Sequence, residues 1–88
     1  MAHHKSALKR IRQTHVRNMI NNARRNRIRS FIRRVDAGIA SGVYQDARDA
    51  FRAAESEIMR GVTKGILKRN TAARKISRLN ARVKALAS

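Results

Sequence analysis

The sequence predicts an all-α fold: a three-helix bundle whose long first helix protrudes beyond the other two. Three observations carry this. There is no Pro in the 88 residues. The four glycines form two clusters, Gly38 with Gly42 and Gly61 with Gly65, which divide the chain into three stretches of good helix formers. Within each stretch apolar residues recur at the three- and four-residue steps of a helix face.

The first helix is expected over about residues 5–40. Ile28, Phe31, Ile32, Val35 and Ile39 form a dense apolar stripe in its second half, whereas Leu8, Ile11, Met19 and Ala23 form a sparse one upstream. The second helix is expected over about 45–63, with Ala47, Ala50, Phe51, Ala54, Ile58 and Val62 on one face. It obeys the helix dipole, with Asp46 and Asp49 near its start and Arg60 and Lys64 near its end, and Arg52–Glu55 and Glu57–Arg60 are spaced to pair. Tyr44 is assigned to the preceding loop as a cap over the turn, and Phe31 and Phe51 to the core. The third helix is expected over about 67–86, where Ala72, Ile76, Leu79, Val83 and Leu86 recur at steps of four, three, four and three.

A chain of this length makes one domain, residues 1–88, with a small core, because Phe31, Tyr44 and Phe51 are the only aromatics. The absence of Cys excludes disulfides and Cys-ligated metal. No apolar run approaches the roughly 18 residues of a membrane span, and the N-terminus lacks the apolar stretch of a signal peptide, so a soluble, cytoplasmic protein is expected.

Charge says more about function. Lys and Arg number 22 against five acids, a net charge of +17, and self-repulsion at that density calls for a polyanion. The distribution is uneven. Residues 1–35 and 58–88 contain no acid, and all five carboxylates fall between Asp36 and Glu57. Two basic arms therefore flank a mildly acidic middle. At 1.5 Å per residue the first helix would exceed the others by about 20 Å, leaving an overhang over residues 5–27. In that overhang Lys5, Lys9, Arg10, Arg12, Arg17, Arg24, Arg25 and Arg27 outnumber the apolar residues. Such a segment cannot offset its ordering entropy alone and is expected to order against something anionic.

Lys5, Lys9 and Arg10 open the first helix, and Lys68 and Arg69 open the third, although free N–H groups already make a helix start positive. Phosphates docked at those ends would explain the sign, since N–H groups and cations would then address one anion. On the third helix Arg74, Lys75, Arg78 and Arg82 share an arc of about 100° beside the apolar stripe. A solvated face usually intersperses acids, and this helix has none. Sixteen of the 22 basic residues are Arg, whose planar fork matches phosphate oxygens. His3 and His4 suit a terminal phosphate contact. With His15 they do not make a metal-ligand spacing. The carboxylates lack a partnering His, and neither a nucleophile motif nor a Gly-rich phosphate loop is present, so no enzyme is expected. Aromatic stacking platforms are missing too, which favours recognition of backbone and shape over bases.

Two runs of residues add a resemblance. Met1-Ala2-His3-His4-Lys5-Ser6-Ala7-Leu8-Lys9-Arg10-Ile11-Arg12-Gln13 and Lys64-Gly65-Ile66-Leu67-Lys68-Arg69-Asn70-Thr71-Ala72-Ala73-Arg74-Lys75-Ile76-Ser77-Arg78-Leu79 resemble the bacterial small-subunit ribosomal protein S-twenty family. The second run is the more specific, and the likeness extends over essentially the whole chain. It implies a structural component of the small ribosomal subunit that binds 16S ribosomal RNA directly and stabilises its folding early in assembly. It also implies RNA contacts at Lys5, Ser6, Lys9, Arg10 and Arg12, and at Lys68, Arg69, Asn70, Arg74, Lys75 and Arg78. To these the charge reading adds His3, His4, Arg17, Arg24, Arg25 and Arg82. The sequence departs from the family pattern at Lys68, where His is usual, and at Ile76, where a basic residue is common. The expected partners are that RNA and other components of the subunit, with no cofactor, metal, membrane or small-molecule substrate, and the free protein is expected to be a monomer.

Two other classes compete. An architectural DNA binder often inserts an apolar wedge or an Arg-bearing arm into the minor groove, and no exposed Pro, Phe or Leu on a hairpin tip offers a wedge here. A helix lying on an anionic membrane would carry Trp or Phe at its polar boundary, and Trp is absent.

Overall fold

A computed structural model describes residues 3–87, with side chains described from Ser6. Three helices account for nearly all of it: α1 over His3–Ser41, α2 over Tyr44–Thr63 and α3 over Arg69–Ala87. The described residues form an elongated body of 68 × 22 × 13 Å. α2 lies between the other two helices, packing extensively on the second half of α1 and on α3, whereas α1 and α3 touch only sparingly.

The apolar stripes read from the sequence make the core. Ile28 and Val35 of α1 meet Ala47, Phe51, Ala54 and Ile58 of α2 and Ala72, Leu79 and Val83 of α3. Phe31, Ile32, Ile39, Ala50, Val62, Leu67, Ile76 and Leu86 pack around them half-buried. The α1–α2 hairpin closes on Gly38. A Cβ there would sit 2.9 Å from the Ala47 Cα, so only a hydrogen lets the two backbones approach this closely. The turn uses Gly42 at φ +76°, a conformation that L side chains rarely adopt. The Ser41 hydroxyl ties this turn, donating to the Gly38 carbonyl at 2.7 Å and accepting from the Val43 N–H at 3.3 Å.

The boundaries differ from expectation in two places. Tyr44 is the first residue of α2 and not a loop cap, because extended Val43 already starts the helix, its carbonyl accepting from Ala47 N–H. α3 begins two residues late. The chain leaving α2 first makes a Schellman turn, with Gly65 N–H on the Val62 carbonyl at 3.0 Å and Ile66 N–H on the Gly61 carbonyl at 2.8 Å. Leu67 N–H also reaches the Gly61 carbonyl, at 3.2 Å, so residues 64–67 are spent on the reversal.

The protruding helix is present, but its free part is shorter than expected. Every residue from Ser6 to Ile20 is exposed, and from Asn21 onward α1 starts to meet the end of α2. Arg24 and Arg27 therefore stand at the junction and not in the overhang.

Candidate nucleic-acid interface

The free arm of α1 is helical, and its cations Lys9, Arg10, Arg12 and Arg17 spread over an arc of about 160°, wider than a single stripe but confined to one side of the helix. Each of these four is exposed, as is Ser6. Its apolar residues have no packing partner: Ile11 is 63% exposed and Met19 61%. Neither α1 nor α3 has an acid in its first turn, whereas α2 has Asp46. The side chains of His3, His4 and Lys5 lie outside the described residues.

At the start of α3 the first backbone bond runs from Ala72 N–H to the Lys68 carbonyl at 2.9 Å. The N–H groups of Arg69, Asn70 and Thr71 therefore precede the helical ladder and face outward with no carbonyl four residues back. Lys68, Arg69 and Asn70 are exposed around them. Along the helix Arg74, Lys75 and Arg78 are exposed and form no ion pair among the described residues, while Ala72, Leu79 and Val83 are buried on the opposing side. This is the two-faced helix expected from the sequence. Arg82 is different: its Nη1 donates to Asp36 Oδ1 of α1 at 2.8 Å, so part of its fork is already engaged. Arg25 likewise donates to Asn22, at 3.2 Å.

A third group of cations, Arg27 and Arg60, stood out in the sequence for charge and pairing but not as a binding site. At the junction of arm and bundle Glu57 of α2 is buried, and Arg27 grips it side-on, Nε to Oε2 at 3.1 Å and Nη2 to Oε1 at 3.1 Å. Arg60 adds Nη1 to Oε1 at 3.2 Å. The hydrogen bond from Arg27, then the positive charges of Arg27 and Arg60, hold the Glu57 carboxyl below the usual carboxylate range against the opposing effect of burial. Two guanidinium groups lie over the Phe31 ring, Arg27 at 5.3 Å and Arg34 at 4.7 Å from its centre, so Phe31 is partly a cation platform and only partly core. The Glu57–Arg60 pair was legible as a helix spacing. The other expected pair, Arg52–Glu55, does not form, and the tie from Arg27 thirty residues away had no local signal beyond an acid at the edge of an apolar stripe.

No group of His, Asp and Glu among the described residues could hold a metal ion. No helix among them is long and apolar enough to cross a membrane.

Comparison with known proteins decides the family. The sequence pattern described as "Ribosomal protein S20" matches residues 2–84. The chain belongs to the ribosomal protein S20 family. It is 60% identical over 88 residues to the small ribosomal subunit protein bS20 of Acidiphilium cryptum, covering 100% of this chain and 98% of that one. With the protein of the same name from Paracoccus denitrificans it shares 56% identity over 88 residues, 100% of this chain and 99% of the relative. The Roseobacter denitrificans protein is 59% identical over 86 residues, 98% and 99% of the two chains. Membership of the S20 family makes this chain a structural component of the small ribosomal subunit, located with the ribosome in the cytoplasm and not an enzyme.

Proposed function

We propose that the whole chain acts as one RNA-binding domain that attaches directly to 16S ribosomal RNA and stabilises its folding as the small subunit assembles. The observation that carries this reading is the acid-free, unpaired basic face of Arg74, Lys75 and Arg78, set beside a helix start whose N–H groups are open. Cations and N–H groups there converge on the same anion, and phosphate is the anion that a shape-reading protein meets in quantity. The arm adds a second attachment through Ser6, Lys9, Arg10, Arg12 and Arg17, with His3, His4 and Lys5 at its tip. Arg24 and Arg25 continue it toward the bundle, and Lys68, Arg69 and Asn70 bind at the start of α3. Arg82 contributes with the part of its fork that Asp36 leaves free. The free protein is a monomer with neither cofactor nor small-molecule substrate, and its other partners are neighbouring components of the subunit.

Competition tests the reading. Small-subunit ribosomal RNA should displace a labelled fragment of the same RNA far better than duplex DNA of equal length. Equal displacement by DNA would instead favour an architectural DNA binder.

A further inference from the structure

Where the arm leaves the bundle, α1 and α2 enclose an open cleft of about 600 Å³, within the roughly 300–1,000 Å³ of clefts that seat single small ligands. Its floor is apolar, from Ile20, Ala23 and Ile28, and its rim has Arg24, Arg27 and Arg60 around one carboxylate, Glu57. Three cations and one anion leave the rim doubly positive. We propose that this cleft is a binding site for a single unpaired nucleotide of the RNA, its phosphate held by Arg27 and Arg60 and its base laid on the Ile20–Ala23 floor, with Glu57 as the residue that positions both arginines. This rests on the RNA-binding reading above and adds a site to it.

The geometry of the guanidinium groups supports the assignment. Arg27 uses the Nε edge of its fork on Glu57, which directs the remaining Nη1 and Nη2 hydrogens away from the carboxylate. Arg60 spends Nη1 only. Both side chains remain well exposed, 60% and 69%, so the unspent donors are accessible, while the Glu57 carboxylate is ion-paired to both guanidinium groups, which offsets its repulsion of an incoming phosphate. Arg27 is fixed from a second side by the Phe31 ring. Arg ordinarily loses much rotamer entropy on binding, and here that loss is met in folding. The apolar floor has no cover from the protein, and Ile20 is 49% exposed. A base is the RNA group that combines an apolar face with an adjacent anion.

This makes a prediction opposite in sign to simple electrostatics. Glu57→Gln raises the net charge by one, yet affinity of the full-length protein for small-subunit ribosomal RNA at 0.1 M salt should fall at least about fivefold, the worth of one phosphate contact. Asp36→Asn, with the same charge change outside the cleft, should leave affinity equal or raise it. Arg60→Met, which leaves the Arg27–Glu57 clasp and the core in place, should lose about fivefold and flatten the salt slope by about 0.7–0.9. Helix content and the thermal midpoint are followed in parallel, and Arg60→Met decides alone if Glu57→Gln does not fold. A photo-crosslinking residue at Ala23 should join to an unpaired nucleotide. Wild-type affinity and slope in Arg60→Met, a gain in affinity in folded Glu57→Gln, or crosslinks confined to paired nucleotides would each overturn the cleft assignment while leaving direct binding intact. Failure of the unmodified protein to bind the RNA would instead remove the reading beneath it.

Discussion

Replacing Arg74 and Arg78 together by Ala tests the α3 face most economically. Both side chains are exposed, neither forms an ion pair among the described residues, and both lie away from buried Ala72, Leu79 and Val83, so their removal leaves the core untouched and slightly raises helix propensity. If each holds one phosphate, its loss flattens the plot of log affinity against log salt by about 0.7–0.9. Two losses flatten it by about 1.4–1.8, from an expected slope of roughly −6 to −7 for about eight contacts. Carried from 1 M to 0.1 M salt, each contact contributes about 0.7–0.9 decades, so the double variant should bind about 25- to 60-fold more weakly at 0.1 M. Fluorescence anisotropy with labelled small-subunit ribosomal RNA at four or five salt concentrations reads both quantities, and circular dichroism checks the helix. Unchanged affinity and slope in a folded double variant would mean that this face is solvated surface. A slope shallower than about −3 for the unmodified protein would refute polyelectrolyte binding as a whole.

Three further outcomes are expected. Leu79→Ala removes a buried side chain from the point where α3 meets Phe51 and should cost about 2–5 kcal/mol, lowering the thermal midpoint by at least about 10 °C; an unchanged midpoint would mean that α3 packs by another face. Because Glu57 is held below the usual carboxylate range, its contribution to stability is complete at neutral pH and is lost as pH falls through its folded-state value, beneath the ordinary value near 4.5. Thermal midpoints should therefore fall on acidification below about pH 4.5, more steeply in the native protein than in Glu57→Gln, and equal acid sensitivity would contradict that role. In the free protein at low salt, amides from Ala7 to Met19 should exchange far faster than those of Phe31 to Val35 and gain protection with RNA, since the arm has no packing partner and no acid at its start. Equal protection without RNA would make the arm a preformed rod.

What the sequence could reveal follows from the range of the interactions. The stripes Ala47–Phe51–Ala54–Ile58 and Ala72–Leu79–Val83 are local periodicities, and all seven residues are buried. The basic face of Arg74, Lys75 and Arg78 was legible for the same reason, as the complement of that stripe. The Asp36–Arg82 and Arg27–Glu57 ties join residues 46 and 30 positions apart, and no spacing rule reaches that far. The arm's extent was overestimated for a different reason: the dense apolar stripe begins at Ile28, but the end of α2 reaches back beyond it to Ile20 along a face whose helical spacing is kept by Ala23, Arg24 and Arg27, and two arginines and an alanine do not read as an apolar stripe. Tyr44 was misplaced because extended Val43 starts α2 without a capping side chain, leaving nothing in the sequence to mark the boundary.

Nuclease footprinting of the purified protein on naked small-subunit ribosomal RNA tests direct binding most immediately. Two separate sets of protected nucleotides are expected, one lost when residues 1–20 are deleted and the other lost in the Arg74→Ala, Arg78→Ala variant. Protection that appears only when other subunit proteins are present, or none at concentrations that saturate anisotropy, would contradict direct attachment to the RNA.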